Sequence, residues 1–313
     1  MNNIVTADLV ITTCSPELPV FRLHIESLCQ NFDTTFINKI FILVNDKNST
    51  AVIADIKENY LDLFGNIKDK VHIIDGTELL GDVDYYNNPQ LFNKGFLAQM
   101  VTDCAISKLI ETDHYFVVDS KSLFLPGDSP WFLIKKNRIY FPLQPTNFES
   151  PYKIWAINKA YFNSPDRYPG FEPTSVRPQI YHAVTMQNMI AKVEKRSGMS
   201  WQQFMLNEFL KENKVSGISH FYLYYAYLWY TDEFDKLYEP HTPGIQLDRR
   251  IYDVKLRGNE PNQNEFLTVT VARSVFVEQP WAKEEILGLW KTAVPNSTIL
   301  EEVFEEMVKL NRE

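Results

Sequence analysis

The stretch HYFVVDSKSLFL, residues 114–125, is an apolar run that ends abruptly on an acid, a hydroxyl and a base. A nearly continuous run of β-branched and aromatic residues fits a strand buried on both faces. Strand side chains alternate, so Asp119 and Lys121 project to one side, roughly 7 Å apart at about 3.3 Å rise per residue. Such an opposite-charge pair can serve one ligand, or it can be a strand-end ion pair facing solvent. The neighbouring sequence bears on the choice.

Three similar runs precede it: ADLVITTC (7–14), KIFILVND (39–46) and VHIIDG (71–76). Helical patterns separate them. SPELPVFRLHIESLCQNF follows the first, with Ser15 as its N-cap and Pro16 at the first helical position, and STAVIADIKENYLDLF follows the second, opened by Ser49. Strands alternating with helices predict crossover connections and a mostly parallel α/β sheet with helices on both faces. Ligands of such sheets bind beyond the carboxyl ends of the strands. Those ends carry Thr12, Thr13 and Cys14, then Asn45 and Asp46, then Asp75, and finally Asp119, Ser120 and Lys121. The helix expected over 93–110 has one apolar stripe of Leu97, Met100, Val101, Cys104 and Ala105. Its other face mixes Phe96, Gln99, Asp103, Ile106 and Ile110, so it is covered on two sides and Gln99 and Asp103 require partners in protein or ligand.

The second half differs. Residues 126–181 are rich in proline and aromatics with little long periodicity, which predicts loops and short strands forming a substrate surface. Helical patterns return at VTMQNMIAKVEKRSG, with Gly198 as C-cap, and at SWQQFMLNEFLKEN, opened by Ser200. SHFYLYYAYLWY then packs seven aromatics into residues 221–230, so little of that helix can face water. Two short charged helices close the chain, the last with Ile299, Val303, Met307 and Leu310 on one packed stripe.

A chain of 313 residues that is 45% hydrophobic can bury a large core. Its formal charge of −9 offers no footprint for nucleic acid, and no basic run reads as a membrane anchor. The three cysteines, Cys14, Cys29 and Cys104, are far apart without a CxxC, which indicates neither a disulfide framework nor a zinc site. The first residues do not fit a signal peptide, and the most apolar window, residues 221–230, is about half the length of a bilayer span. A cytoplasmic protein without a membrane span is expected. The absence of GxGxxG, GxxxxGK[ST], GxSxG and HExxH argues against dinucleotide oxidoreductases, P-loop NTPases, α/β-hydrolases and zincins.

On these residues the sequence resembles nucleotide-sugar glycosyltransferases of the GT-A, Rossmann-like architecture. More narrowly, it is similar to a bacterial family of glycosyltransferase-like proteins linked to surface polysaccharides. ITTCSPELPVFRLHIESL matches the opening strand and helix, and residues 95–125 match a helix carrying a glutamine, here Gln99, followed by the strand and its acidic motif. SHFYLYYAYLW matches an aromatic helix, and VARSVF a late basic strand bearing Arg273. The resemblance implies one GT-A-like domain: a nucleotide-binding half over 1–125, an acceptor-binding half over 126–275, and C-terminal helices over 276–313. It implies no covalently bound cofactor, a nucleotide-sugar donor and a saccharide or other hydroxyl acceptor. Thr12, Thr13, Asn45, Asp46, Gln99, Asp119, Lys121 and Arg273 would bind the donor.

Two departures alter that picture. Lys121 stands where a DxD motif has its second, metal-binding acid; an ammonium there would repel a divalent metal yet could meet a diphosphate itself. No residue is therefore assigned to metal, and the rival reading is lost activity: an inactive nucleotide-sugar or glycan-binding protein of the same fold. A third reading is another Rossmann-like transferase with a different nucleotide cofactor. His220 replaces a glutamate, at the first turn of a helix capped by Ser219, where the positive helix end disfavours imidazolium. It is either a catalytic base acting with Asp119, facing the same cleft, or a histidine bonded to a loop carbonyl.

Overall fold

The computed structural model describes residues 6–91, 93–126, 134–135, 138–146, 149–173, 177–211, 217–241, 248–251, 268–271, 276 and 282–310. The four apolar runs form β1 (Ala7–Thr13), β2 (Ile37–Val44), β3 (Val71–Asp75) and β4 (His114–Asp119). They lie in the order β3-β2-β1-β4, all parallel. α1 (Leu18–Asn31), α2 (Ser49–Asp55), the single turn α3 (Gly76–Leu79) and α4 (Lys94–Ala105) fill the connections. The mostly parallel α/β sheet expected from the sequence is present.

Alternation along β4 puts helices on both faces. Tyr115 points one way, its hydroxyl donating to the Asp103 carbonyl of α4 at 3.2 Å, while Phe116 points the other way toward Phe32 at the end of α1, with ring centroids 6.4 Å apart. At the amino-terminal edge the buried Asp8 carboxylate accepts from Asn38 Nδ2 at 2.9 Å and from the amides of Lys39 and Glu111 at 3.1 and 2.9 Å. Those contacts tie down the end of the sheet opposite the site.

After β4 the chain leaves the sheet. β5 (Ser122–Phe124) pairs antiparallel with a late strand; β6 (Ile134–Lys135), β7 (Arg138–Pro145) and β8 (Phe171–Pro173) form a small antiparallel set. β9 (Gln179–His182) returns to the main sheet antiparallel to β4. β10 (Tyr238–His241) pairs with β7, and β11 (Asp248–Ile251) with β12 (Thr268–Val271), the late strand that holds β5.

Three local expectations need correction. The region expected to hold only loops and short strands contains α5 (Glu149–Phe162), a 14-residue helix whose proline, Pro151, stands in its first turn, where the missing amide costs no intrahelical bond. Ser15 does not cap α1: a turn of 3₁₀ helix spans Ser15–Glu17, and the Ser15 amide and hydroxyl both donate to Asp46 Oδ2, at 2.8 and 2.7 Å. A carboxylate is the stronger acceptor, so this contact across strands prevails over the local cap. The strand of the opening stretch stops at Asp119, and Ser120 and Lys121 form a turn, so the pairing of Asp119 with Lys121 does not come from strand alternation.

α6 (Ala183–Ser197) ends on Gly198 at φ 71°, as expected, and α7 (Trp201–Lys211) follows Ser200, whose hydroxyl accepts from the Gln203 amide at 3.2 Å. α8 (His220–Thr231) is buried from His220 to Trp229, and the single turn α9 (Phe234–Leu237) follows it. The C-terminal helices Lys283–Ala293 and Leu300–Leu310 cover the outer side of α1, burying Trp290, Val303, Phe304 and Met307 with Val20 and Leu23. Arg22 of α1 clasps Glu302 at 2.8 Å and Glu306 at 2.6 Å.

Candidate functional site

A cavity of about 450 Å³ opens beyond the carboxyl ends of β1 and β2, closed by the 3₁₀ turn, the start of α4 and the turn after β4. Its walls include Thr12, Thr13, Asn45, Asp46, Gln99 and Lys121, six residues that lie in four separate segments of the sequence. Cys14, Glu17, Lys47, Tyr86 and Phe96 complete the charged and aromatic lining. Local bonds place these walls. The Asn45 amide continues the sheet onto the Thr13 carbonyl at 2.8 Å, and its side chain donates to the Gly95 carbonyl at 2.9 Å while accepting from the Tyr86 hydroxyl at 2.7 Å. Asn45 therefore joins β2 to the first turn of α4. That turn begins after Asn93, whose φ of 52° is left-handed, a conformation asparagine tolerates better than most residues.

Lys121 stands at the front of an ion-pair network. Its Nζ donates to Glu17 Oε1 at 2.5 Å and lies 3.8 Å from Asp119 Oδ2. Glu17 also accepts from the Ser120 hydroxyl at 2.8 Å, and the Ser120 amide donates to the Thr12 carbonyl at 3.0 Å. Asp119 at the end of β4 and Lys121 in the turn after it are thus partners, and a third residue, Glu17, holds the base. Burial alone would lower the Lys121 pKa, but Asp119 and Glu17 raise it above its ordinary value.

Asp119 lies one layer behind the cavity, 5% exposed, its Oδ1 accepting from Gln99 Nε2 at 3.2 Å and from Arg177. The other arm of the Arg177 guanidinium takes Asp103, which is fully buried on α4. Thr12 donates to Asp103 Oδ1 at 3.2 Å, and His220 Nε2 lies 3.3 Å from Asp103 Oδ2. Both carboxylates raise the Arg177 pKa against the opposing effect of burial.

His220 opens α8 as expected, but its ring is 1% exposed and turned to Asp103, and it is not part of the cavity wall. Ser219 stands at the N-cap, although its side chain makes no capping bond. Burial lowers the His220 pKa, with Asp103 opposing, so the ring is neutral near pH 7. The sequence paired His220 with the cleft; the fold joins it to Asp119 through Asp103 and Arg177. Arg273 lies outside the described residues. Sequence reading missed Glu17, Tyr86 and Arg177. Only Asp103 carried a signal, as an acid on a helix apolar on two sides.

Among the described residues, no group of three or more His, Cys, Asp or Glu side chains is arranged to hold a metal ion, and no helix is long and apolar enough to cross a membrane. Residues 9–255 match a family described as a family of unknown function, DUF6492. The chain belongs to that family. No curated protein matches it. Solved structures resemble this DUF6492 member at low identity. Mouse xyloside xylosyltransferase 1 in its apo form is 10% identical with a TM-score of 0.42, over 79% of this chain and 88% of its own. An active-site mutant of LgtC is 12% identical with a TM-score of 0.39, over 85% and 87%. The 4-diphosphocytidyl-2C-methyl-D-erythritol synthase of Anaerococcus prevotii is 12% identical with a TM-score of 0.34, over 68% and 86%.

Proposed function

We propose that this DUF6492 member is a glycosyltransferase that takes a sugar from a nucleotide-sugar donor and passes it to a saccharide or other hydroxyl acceptor. The observation that carries the reading is the cavity at the carboxyl edge of a parallel sheet, walled by hydroxyls, amides, a carboxylate and a lysine. Parallel sheets bind nucleotides in this position, and about 450 Å³ lies within the range of small-molecule sites. In this reading residues 1–125 serve the nucleotide and 126–275 the acceptor. Thr13, Asn45 and Asp46 surround the nucleoside, Lys121 meets the diphosphate, and Asp119 with Gln99 aims Lys121 from behind. His220 supports Asp103.

The same Lys121 favours a second reading, in which the site binds a nucleotide sugar or a glycan without turning it over. Release of free nucleotide from a nucleotide sugar, with or without acceptor, separates the two.

Binding itself can be read from the cysteines. Cys14 lines the cavity and Cys29 is exposed on α1, so Cys29 is an internal reference. A nucleotide sugar at about ten times its Kd should slow alkylation of Cys14 about tenfold and leave Cys29 unchanged. Equal rates at Cys14 across a panel of nucleoside diphosphates and their sugars would refute occupancy of this cavity. Where binding is seen, Lys121→Ala should weaken it about ten- to a hundredfold by titration calorimetry, the value of a charge-assisted phosphate contact. Unchanged affinity would return Lys121 to a structural ion pair with Glu17.

A further inference from the structure

A divalent ion at an acidic strand end needs several hard oxygen ligands open toward one point. The residues present do not fit that requirement. Asp119 Oδ1 is taken by Arg177 and Gln99, Asp119 Oδ2 has the Lys121 ammonium 3.8 Å away, and Glu17 is held by Lys121 and Ser120. Asp103 is bound by the second arm of Arg177 and by Thr12, and Asp46 of the cavity wall accepts from the Ser15 amide and hydroxyl at 2.8 and 2.7 Å and from the Asn48 amide at 2.8 Å.

We infer that Arg177 and Lys121 are resident cations that occupy the electrostatic place of a divalent metal, so that the site excludes metal and depends on Arg177 to hold Asp119 in position. A planar guanidinium suits this task because it bonds two carboxylates at once from a fixed fork, which an ammonium cannot do. Arg177 bridges α4 and the end of β4 from the segment leading into β9, so one residue fixes both acids relative to the sheet. It is a positioning residue, since Gln99 and Lys121 stand between Asp119 and the cavity. A dication placed beside Asp119 would meet two positive charges within the reach of its ligands and would have to displace one of them. The inference rests on the nucleotide-site reading only for its functional meaning; the exclusion of metal does not require it.

Electron paramagnetic resonance of Mn²⁺, titrated into the whole protein alone and with uridine 5′-diphosphate, tests it directly. The signal of free Mn²⁺ should persist in the first titration and, in the second, should fall no further than it does with uridine 5′-diphosphate in the absence of protein. Uptake that is equal in wild type and in Asp119→Asn would mark a site elsewhere and leave the inference standing. One Mn²⁺ per chain taken up by wild type and released by Asp119→Asn would overturn it. In the converse variant, Arg177→Gln with Lys121→Asp, near-ultraviolet circular dichroism checks folding, and Mn²⁺ uptake should rise from none to one per chain. A folded variant without uptake would overturn the assignment of exclusion to these two cations, and the wild-type titration stands where the variant does not fold. Uridine 5′-diphosphate bound only with Mn²⁺, in an Asp119-dependent way, would defeat the inference while preserving the nucleotide reading. No binding of nucleoside diphosphates under any condition would defeat that reading and leave metal exclusion intact.

Discussion

Arg177→Ala should lose about 3–5 kcal/mol of folding stability, measured as a fall in the urea midpoint at constant slope. The guanidinium is 6% exposed and its partners Asp103 and Asp119 are 0% and 7% exposed at their side chains. Removing it leaves two carboxylates in the interior without their shared cation, with Thr12 and His220 beside Asp103 and with Gln99 and Lys121 beside Asp119. Uncompensated buried charge, rather than the lost contact, sets the size of the effect. Neutralising one acid as well should therefore recover part of the loss: Arg177→Ala combined with Asp103→Asn should be less destabilised than the sum of the single variants, by about 1–3 kcal/mol. Arg177→Lys should fall between wild type and Arg177→Ala, because a point charge reaches only one of the two acids well. Strict additivity in the cycle, or a loss below about 1 kcal/mol for Arg177→Ala, would show that the network is dispensable to the fold.

Acidification from pH 6.5 to pH 4 should remove up to about 3 kcal/mol of stability for each of two histidines, His24 and His114. Burial pushes both rings down to about 4, with a backbone bond to Ser122 opposing it at His24 and the neighbouring His182 adding to it at His114. His24 is fully buried on α1, its Nδ1 2.6 Å from the Ser122 carbonyl, so that nitrogen carries the proton of the neutral ring. Among the described residues, His24 Nε2 and both ring nitrogens of His114 have no hydrogen-bond partner. A second proton on either ring would thus enter the interior unpaired. Between pH 6.5 and 4 the unfolded chain takes up these protons and the native state does not, so stability is complete above that window and declines as pH falls through it. Urea midpoints at pH 7 and pH 4.5 should differ markedly for wild type and much less for His24→Gln with His114→Gln. Equal pH dependence in the two proteins would assign the acid sensitivity to other groups.

The sheet was legible because its signal is local. β1, β2 and β4 are runs of apolar residues buried over most of their length, whereas β3, expected to be buried like them, lies at the sheet edge and is only half-buried; each crossover helix shows its own stripe, so neighbouring residues alone specify the elements and the direction of the sheet. The same logic marked the carboxyl ends, and six residues named there, Thr12, Thr13, Cys14, Asn45, Asp46 and Lys121, line one cavity together with Gln99 of α4. α5 was missed because the prolines and aromatics around it mask a stripe that its partner α8 supplies with context.

What the amino-acid sequence determined by itself is therefore the parallel α/β framework, the buried aromatic helix and the edge at which polar residues gather. Only the tertiary structure decided which charges meet. Lys121 is 104 positions from Glu17, Arg177 is 74 from Asp103 and 58 from Asp119, and nothing within a strand or helix period relates residues so far apart. Periodicity reports which face of an element is covered, whereas ion pairing depends on which elements cover it. In this chain that choice turned the acid at the end of β4 and the base after it from a surface pair into part of a buried network with Lys121 at its front, and it put His220 behind Asp103 instead of in the cavity.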